Sequence, residues 1–186
     1  MRSLNPYVLD EENQKVYLIL EEASPEDTCE IEKEWQSYWG TGYLEDPRLL
    51  QYTAKTTENE LVGLAAYEIS KQYVAVYMPY IETARHSKPT IAGNPSGKRY
   101  YGIARMFLAF AVKLSAEAGL QGDVVFEAKT PELAAYYKNE LGALALPSWD
   151  GPERFVISDD VARELLYEFI GCGGERNGRQ DCWLST

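Results

Sequence analysis

The sequence predicts a single α/β domain. A mixed central sheet is flanked by helices in the order β-α-β-β-β-α-β-α-β, with one more helix after the last strand. Three observations carry this prediction. Ile103, Met106, Phe107, Phe110 and Leu114 recur at helical spacing on one face, and Gly119 sits where a helix-ending glycine belongs. Two runs that read as strands bracket that helix, Tyr73–Thr83 and Gly122–Lys129, so the unit reads as a right-handed parallel crossover. The runs Gln51–Thr56, Leu61–Ser70 and Tyr73–Thr83 follow one another across the polar turns Glu58-Asn59-Glu60 and Ser70-Lys71-Gln72, as an antiparallel meander does.

Taken in order, Gln14–Glu22 reads as the first strand. Ser24-Pro25-Glu26-Asp27 then starts a helix, with serine as N-cap, proline at the first helical position and acids in the first turn. Ile31, Trp35 and Tyr38 recur at helical spacing and Gly40 ends the element. Such an aromatic stripe reads first as core. Glu45-Asp46-Pro47-Arg48 is a loop, and the meander follows. Alternation along its last strand puts Tyr77, Pro79, Ile81 and Thr83 on one face, and Met78, Tyr80, Glu82 and Ala84 on the other. Arg85–Gly97, rich in proline, glycine, asparagine and serine, is a long loop with His86, the lone histidine, near its beginning. Beyond the central helix and the Gly122–Lys129 strand, a second helical segment starts at Pro131. A turn-rich connector from Pro147 to Pro152 leads to a last strand, Arg154–Ile157. Ser158 caps a helix carrying Val161, Leu165, Leu166 and Phe169. The expected domain is therefore 1–170, with a polar, glycine-rich tail over 171–186.

At 186 residues the chain is long enough for one real core. Its formal net charge of −11 argues against nucleic acid as a partner, since binding phosphates relies on lysine and arginine. The same charge attracts cationic or amine substrates weakly at long range. No apolar run approaches the roughly 20 residues needed to span a bilayer. The first residues lack the apolar run of a secretory signal. With the odd count of cysteines (Cys29, Cys172 and Cys182), this points to reduced thiols and a cytoplasmic location, a Cys172–Cys182 disulfide being the lesser alternative. No metal-type spacing and no Ser-His-acid arrangement is present, so no metal is expected.

Chemistry concentrates at Arg99-Tyr100-Tyr101-Gly102-Ile103-Ala104. Glycine lets a backbone approach a ligand closely. A helix start offers unpaired N–H groups and about half a positive charge, and Lys98 and Arg99 add two cations at the same end. A basic turn running into a glycine-started helix reads as a cradle for a phosphate or pyrophosphate. Arg-x-x-Gly-x-Ala at 99–104 also resembles the acyl-CoA pyrophosphate motif, Arg/Gln-x-x-Gly-x-Gly/Ala, of the GCN5-related N-acetyltransferase (GNAT) family. Tyr136-Tyr137-Lys138 followed by Leu141-Gly142-Ala143 resembles that family's second motif, an aromatic pair and lysine before Leu-Gly-Phe. The two stand in the family's order, and the resemblance covers roughly Leu61–Leu146.

The resemblance implies acetyl-CoA as co-substrate, held by Lys98, Arg99, Tyr100, Tyr101, Gly102, Ile103 and Ala104. It places the thioester against the strand backbone around Ile81 to Thr83 and makes Tyr137 the general acid. It also gives the segment after the first strand a part in walling the acceptor site, through Trp35, Tyr38, Trp39 and Tyr43. Beside the thioester, Glu82 is the leading candidate for the base that takes the amine's proton, Glu127 the second, and water a third. Two departures stand out: the inserted loop after Ala84, and Thr130 where the family often has an asparagine on the CoA arm. His86 in that loop is expected to be incidental. The implied activity is acetyl transfer to a primary amine on a small molecule or peptide, with room for a homodimer and no membrane partner. The alternative is a non-catalytic acyl-CoA-binding sensor or interaction module. A toxin-like action on charged tRNA is disfavoured by the acidity.

Overall fold

The computed structural model describes residues 3–24, 27, 46–88, 98–147 and 151–170. Their strands are β1 (Tyr7–Leu9), β2 (Lys15–Glu22), β3 (Leu49–Thr56), β4 (Leu61–Ser70), β5 (Ala75–Thr83), β6 (Val124–Ala128), β7 (Leu144–Leu146) and β8 (Glu153–Ile157). Three helices, α1 (Ile103–Glu117), α2 (Pro131–Asn139) and α3 (Asp159–Phe169), and a 3₁₀ turn (Arg85–Ser87) accompany them. The strands form one sheet in the order β1-β2-β3-β4-β5-β6-β8-β7. Among the described residues, only β5 and β6 pair in parallel. The expected mixed α/β sheet is thus present, with α1 as the crossover between its parallel strands.

Several boundaries differ from expectation. β1 forms a hairpin with β2 that the sequence reading leaves out, because three residues are too few to show a period. β7 is missed for the same reason. The strand expected to begin at Tyr73 begins at Ala75, because Lys71–Val74 form the preceding turn and Val74 takes a positive φ of 52°. The one expected over Gly122–Lys129 is shorter, Val124–Ala128, since Gly122 at φ 92° belongs to the turn before it. At the predicted helix start, Asp27 accepts from the Ser24 N–H at 2.9 Å and donates its own N–H to Ser24 Oγ at 3.2 Å, a capping box. Ile31, Trp35, Tyr38, Trp39 and Tyr43, all three cysteines, most of the inserted loop and the 171–186 tail lie outside the described residues.

The core lies between one sheet face and α1. Of the expected stripe, Ile103, Met106, Phe107 and Phe110 are buried and Leu114 is partly buried, and Leu108, Ala109, Ala111 and Val112 are buried as well. Two sides of α1 are covered, one by the sheet and one by α3, whose Ala162, Leu165, Leu166 and Phe169 join the same core. Tyr67 on β4 is fully buried and donates its hydroxyl to the Phe107 carbonyl at 3.1 Å, which spares it the cost of an unpaired buried group. Gly63 lets helix and sheet approach: a Cβ there would lie 2.8 Å from Phe107 Cε2 and 3.1 Å from both Ile103 Cγ2 and the Glu82 carbonyl. Gly102, at φ 84°, is the residue before α1, and a Cβ there would meet nothing. Its glycine answers a backbone need at the helix start, since this φ disfavours any residue with a Cβ. Among the described residues no helix is long and apolar enough to cross a membrane.

Candidate active site

The site is built on the place where the parallel ladder stops. β5 pairs with β6 at Val76↔Val124, Tyr77↔Val125 and Met78↔Phe126, and then the strands part, although β5 continues to Thr83 and β6 to Ala128. A bulge lies at the same point: Glu68 faces Tyr77 and Ala66 faces Tyr80, so β5 holds one residue more than β4 between the two rungs. Pro79, inside the bulge, has no N–H to give a ladder. Beyond it β5 stays bonded to β4 alone, through Gly63↔Thr83, Leu64↔Glu82 and Ala65↔Ile81.

The bulge corrects the expected alternation. Val76, Met78 and Ile81 share the α1 face with the main core, while Tyr80 packs with Leu64 and Ala66 on the opposite face. Tyr77, Pro79, Ile81 and Thr83 therefore do not share one face, because the extra residue flips the period midway. The same shift fixes the backbone. The Ala84 N–H reaches the Val62 carbonyl on β4 at 2.9 Å, so at Ile81 and Thr83 the N–H and C=O point the other way, into the split that β6 has left.

Glu82 lies on the face away from α1 and is 4% exposed. Tyr80 donates its hydroxyl to Oε2 at 2.8 Å and Lys88 donates to Oε1, so both carboxylate oxygens are engaged. Burial, and then the bond to Glu82, push the Tyr80 phenol well above the ordinary tyrosine range. Lys129, the residue after β6, stands 4.1 Å over the Tyr80 ring, and burial lowers its ammonium pKa. Sequence reasoning missed Tyr80, Lys88 and Lys129, whose juxtaposition depends on the split. Glu127, the second candidate base, is paired with Arg154 at 2.9 Å in the β6–β8 ladder.

The segment before α1 is held by two other elements, the 3₁₀ turn and β1. Arg99 N–H donates to the His86 carbonyl at 3.1 Å, Tyr100 N–H to Ser87 Oγ at 3.1 Å, and Tyr101 N–H to the Leu9 carbonyl at 2.8 Å. His86 is therefore part of the scaffold, its Nδ1 2.8 Å from Ser87 Oγ and its Nε2 3.2 Å from the Leu61 carbonyl. With these three amides consumed, the cradle narrows to the first N–H groups of the helix. The first intrahelical bond is Met106 N–H to the Gly102 carbonyl, which leaves the amides of Ile103, Ala104 and Arg105 without an intrahelical acceptor. Tyr100 and Ile103 are buried and act through packing. Lys98 lies 5.1 Å over the Tyr101 ring, and burial lowers its pKa. A pocket of about 520 Å³ adjoins Arg99 and Tyr100, and Asp10, Glu11 and Glu12 line its other side.

Tyr136 and Tyr137 separate as adjacent helix residues do: Tyr136 is 36% exposed, Tyr137 only 3%. The Tyr137 ring meets Phe126 edge-on at 4.8 Å and Phe155 at 5.7 Å, which ties α2 to β6 at its last rung with β5. Its hydroxyl has no hydrogen-bond partner among the described residues, and burial pushes its pKa up to about 12. A buried phenol left unpaired is costly and calls for a partner. Thr130 is the N-cap of α2, its Oγ accepting from the Leu133 N–H at 3.3 Å. Among the described residues, no group of three or more His, Cys, Asp or Glu is placed to hold a metal ion.

No protein-family model and no curated relative matches the sequence. Solved structures do resemble it. A chimera of the spermidine N-acetyltransferase SpeG from Vibrio cholerae and hSSAT superposes with a TM-score of 0.52 at 15% identity, over 80% of this chain and 98% of that one. A Bacillus subtilis acetyltransferase in complex with CoA gives 0.51 at 11% identity, over 76% of this chain and 97% of that one. These likenesses establish that the chain has the fold of these acetyltransferases, the fold that the GNAT resemblance implies.

Proposed function

We propose that this protein is an N-acetyltransferase that moves an acetyl group from acetyl-CoA to a primary amine on a small molecule or peptide. The observation that carries the reading is the parting of β5 and β6 after Met78↔Phe126, with Ile81 and Thr83 turning their backbone into the gap. In this reading the pyrophosphate rests on the N–H groups of Ile103 and Ala104, with Arg99 beside it, Lys98 nearby and Gly102 giving the approach. The pantetheine arm continues the sheet in place of β6, and the N–H of Ile81 or Thr83 polarises the thioester carbonyl. That CoA is bound in the Bacillus subtilis structure of the same fold supports this choice of co-substrate.

The amine nitrogen attacks the carbonyl carbon and the carbon–nitrogen bond forms. The carbon–sulfur bond then breaks and CoA leaves as its thiol. The amine's proton passes to Glu82 or to water. Tyr137 offers the leaving sulfur its unpaired O–H as negative charge develops there. Its raised pKa keeps that proton in place across the neutral range.

Calorimetric titration with acetyl-CoA tests the reading. Micromolar binding, about −8 kcal/mol, is expected for the native chain. Gly102→Glu should bind at least 100-fold more weakly, because it sets bulk and negative charge against the helix start. A native chain that leaves acetyl-CoA unbound would sink the proposal.

A further inference from the structure

Resting on that reading, we infer that Glu60, in the turn between β3 and β4, is a positioning residue that sets Arg99 for the donor's pyrophosphate. Glu60 belongs to no motif and lies 39 residues from Arg99 in sequence. Its Oε1 accepts from Arg99 Nη1 at 2.6 Å and its Oε2 from the Tyr100 hydroxyl at 3.0 Å. The Arg99 guanidinium in turn lies 5.3 Å from the Tyr100 ring centre, so the three side chains close a triangle. Glu60 itself is fixed at its backbone. Its N–H donates to Thr56 Oγ at 3.1 Å and its carbonyl accepts from the Thr56 N–H at 2.9 Å.

The chemistry of the groups decides what this triangle does. A guanidinium has five N–H donors in a rigid fork. Glu60 engages one end of it, at Nη1, and the Arg99 side chain stays 54% exposed. Among the described residues Glu60 is its one carboxylate partner, at the end of the segment that runs into Gly102. An arginine free to sample its rotamers would lose that freedom on binding the donor; one already held by a carboxylate and an aromatic ring loses less. Tyr100 extends the constraint to the backbone. It is 5% exposed, and its amide and its hydroxyl are both bonded, the amide to Ser87 and the hydroxyl to Glu60. Glu60 thus sets both the cation and the peptide that precede the helix start.

The test is a double-mutant cycle read by titration with acetyl-CoA, on the native chain, Glu60→Gln, Arg99→Gln and the double variant. Glutamine keeps an acceptor for the Tyr100 hydroxyl and removes the charge that orients Arg99. Glu60→Gln should weaken acetyl-CoA binding about tenfold with an unchanged melting temperature, which a merely structural residue would not do. With Arg99→Gln already present it should add nothing, because Glu60 acts through Arg99. Two results overturn the inference while leaving the proposed function standing: Glu60→Gln binding as tightly as the native chain or tighter, or losses that add in the double variant. A native chain that does not bind acetyl-CoA removes both.

Discussion

Along β5, Val76 and Tyr77 are paired with strands on both sides, while Tyr80 to Thr83 keep only β4. The first half is core: Ala75, Val76 and Met78 are almost fully buried. In the second half, Ile81 and Thr83 turn backbone groups toward a strand that has moved away, and Glu82 is buried with its charge balanced by Lys88. A proline and one inserted residue separate the two halves. Full pairing makes a sheet; partial pairing makes a sheet that can accept another chain-like molecule along its edge, as in strand addition.

The contrast is broken most severely at Tyr137, whose ring stands on the last rung and whose hydroxyl has no partner among the described residues. Tyr137→Phe keeps the ring contacts with Phe126 and Phe155 and removes only the O–H. Acetyl transfer should fall roughly 100-fold, the usual scale of a lost general acid, with acetyl-CoA affinity unchanged. Full-rate transfer by Tyr137→Phe would end its role as acid. A pH titration sharpens the point. The folded phenol ionises at about 12, above the ordinary tyrosine value of about 10, so stability is complete below that ordinary value. It is lost as pH rises from about 10 toward about 12, where the unfolded chain releases the proton first. Denaturant midpoints across this window should fall more steeply for the native chain than for Tyr137→Phe.

The backbone itself supplies a smaller and more direct comparison. The Val76 N–H is bonded to the Asp123 carbonyl at 3.0 Å, whereas those of Ile81 and Thr83 face the split. Hydrogen exchange should be at least tenfold slower at Val76 than at Thr83. Acetyl-CoA should then slow Ile81 or Thr83 and leave Val76 unchanged. Equal protection at the two positions in the free chain would mean that the halves do not differ.

How much of this was legible follows from how far apart the cooperating residues lie. The glycine-started helix, its apolar stripe, the Ser24 cap and the aromatic pair are local patterns, and the structure places each described one where its spacing puts it. The meander and the parallel crossover were legible for the same reason. The bulge was not, since Met78-Pro79-Tyr80 reads as ordinary strand and only the register with β4 reveals the extra residue. Nor was the consumption of the cradle's amides by His86, Ser87 and Leu9, or the hold of Glu60 on Arg99, because the partners come from separate elements. Burial of a charge at Glu82 is likewise a tertiary event, decided by Tyr80 and Lys88 once β5 has turned.

Thr130 gives the smallest and most discriminating effect, because it can serve either half of the site. Its Oγ caps α2 through the Leu133 N–H, and α2 carries Tyr137 to the split. The family pattern instead puts this position on the CoA arm. Thr130→Ala removes the cap at a cost of about 1 kcal/mol and should loosen the helix that holds Tyr137. The expected result is a modest loss of thermal stability and turnover with the KM for acetyl-CoA unchanged, and Thr130→Ser, which can still cap, should restore both. A raised KM with unchanged stability would assign the hydroxyl to the donor. In that case the released half of β5 and the start of α2 would share one ligand.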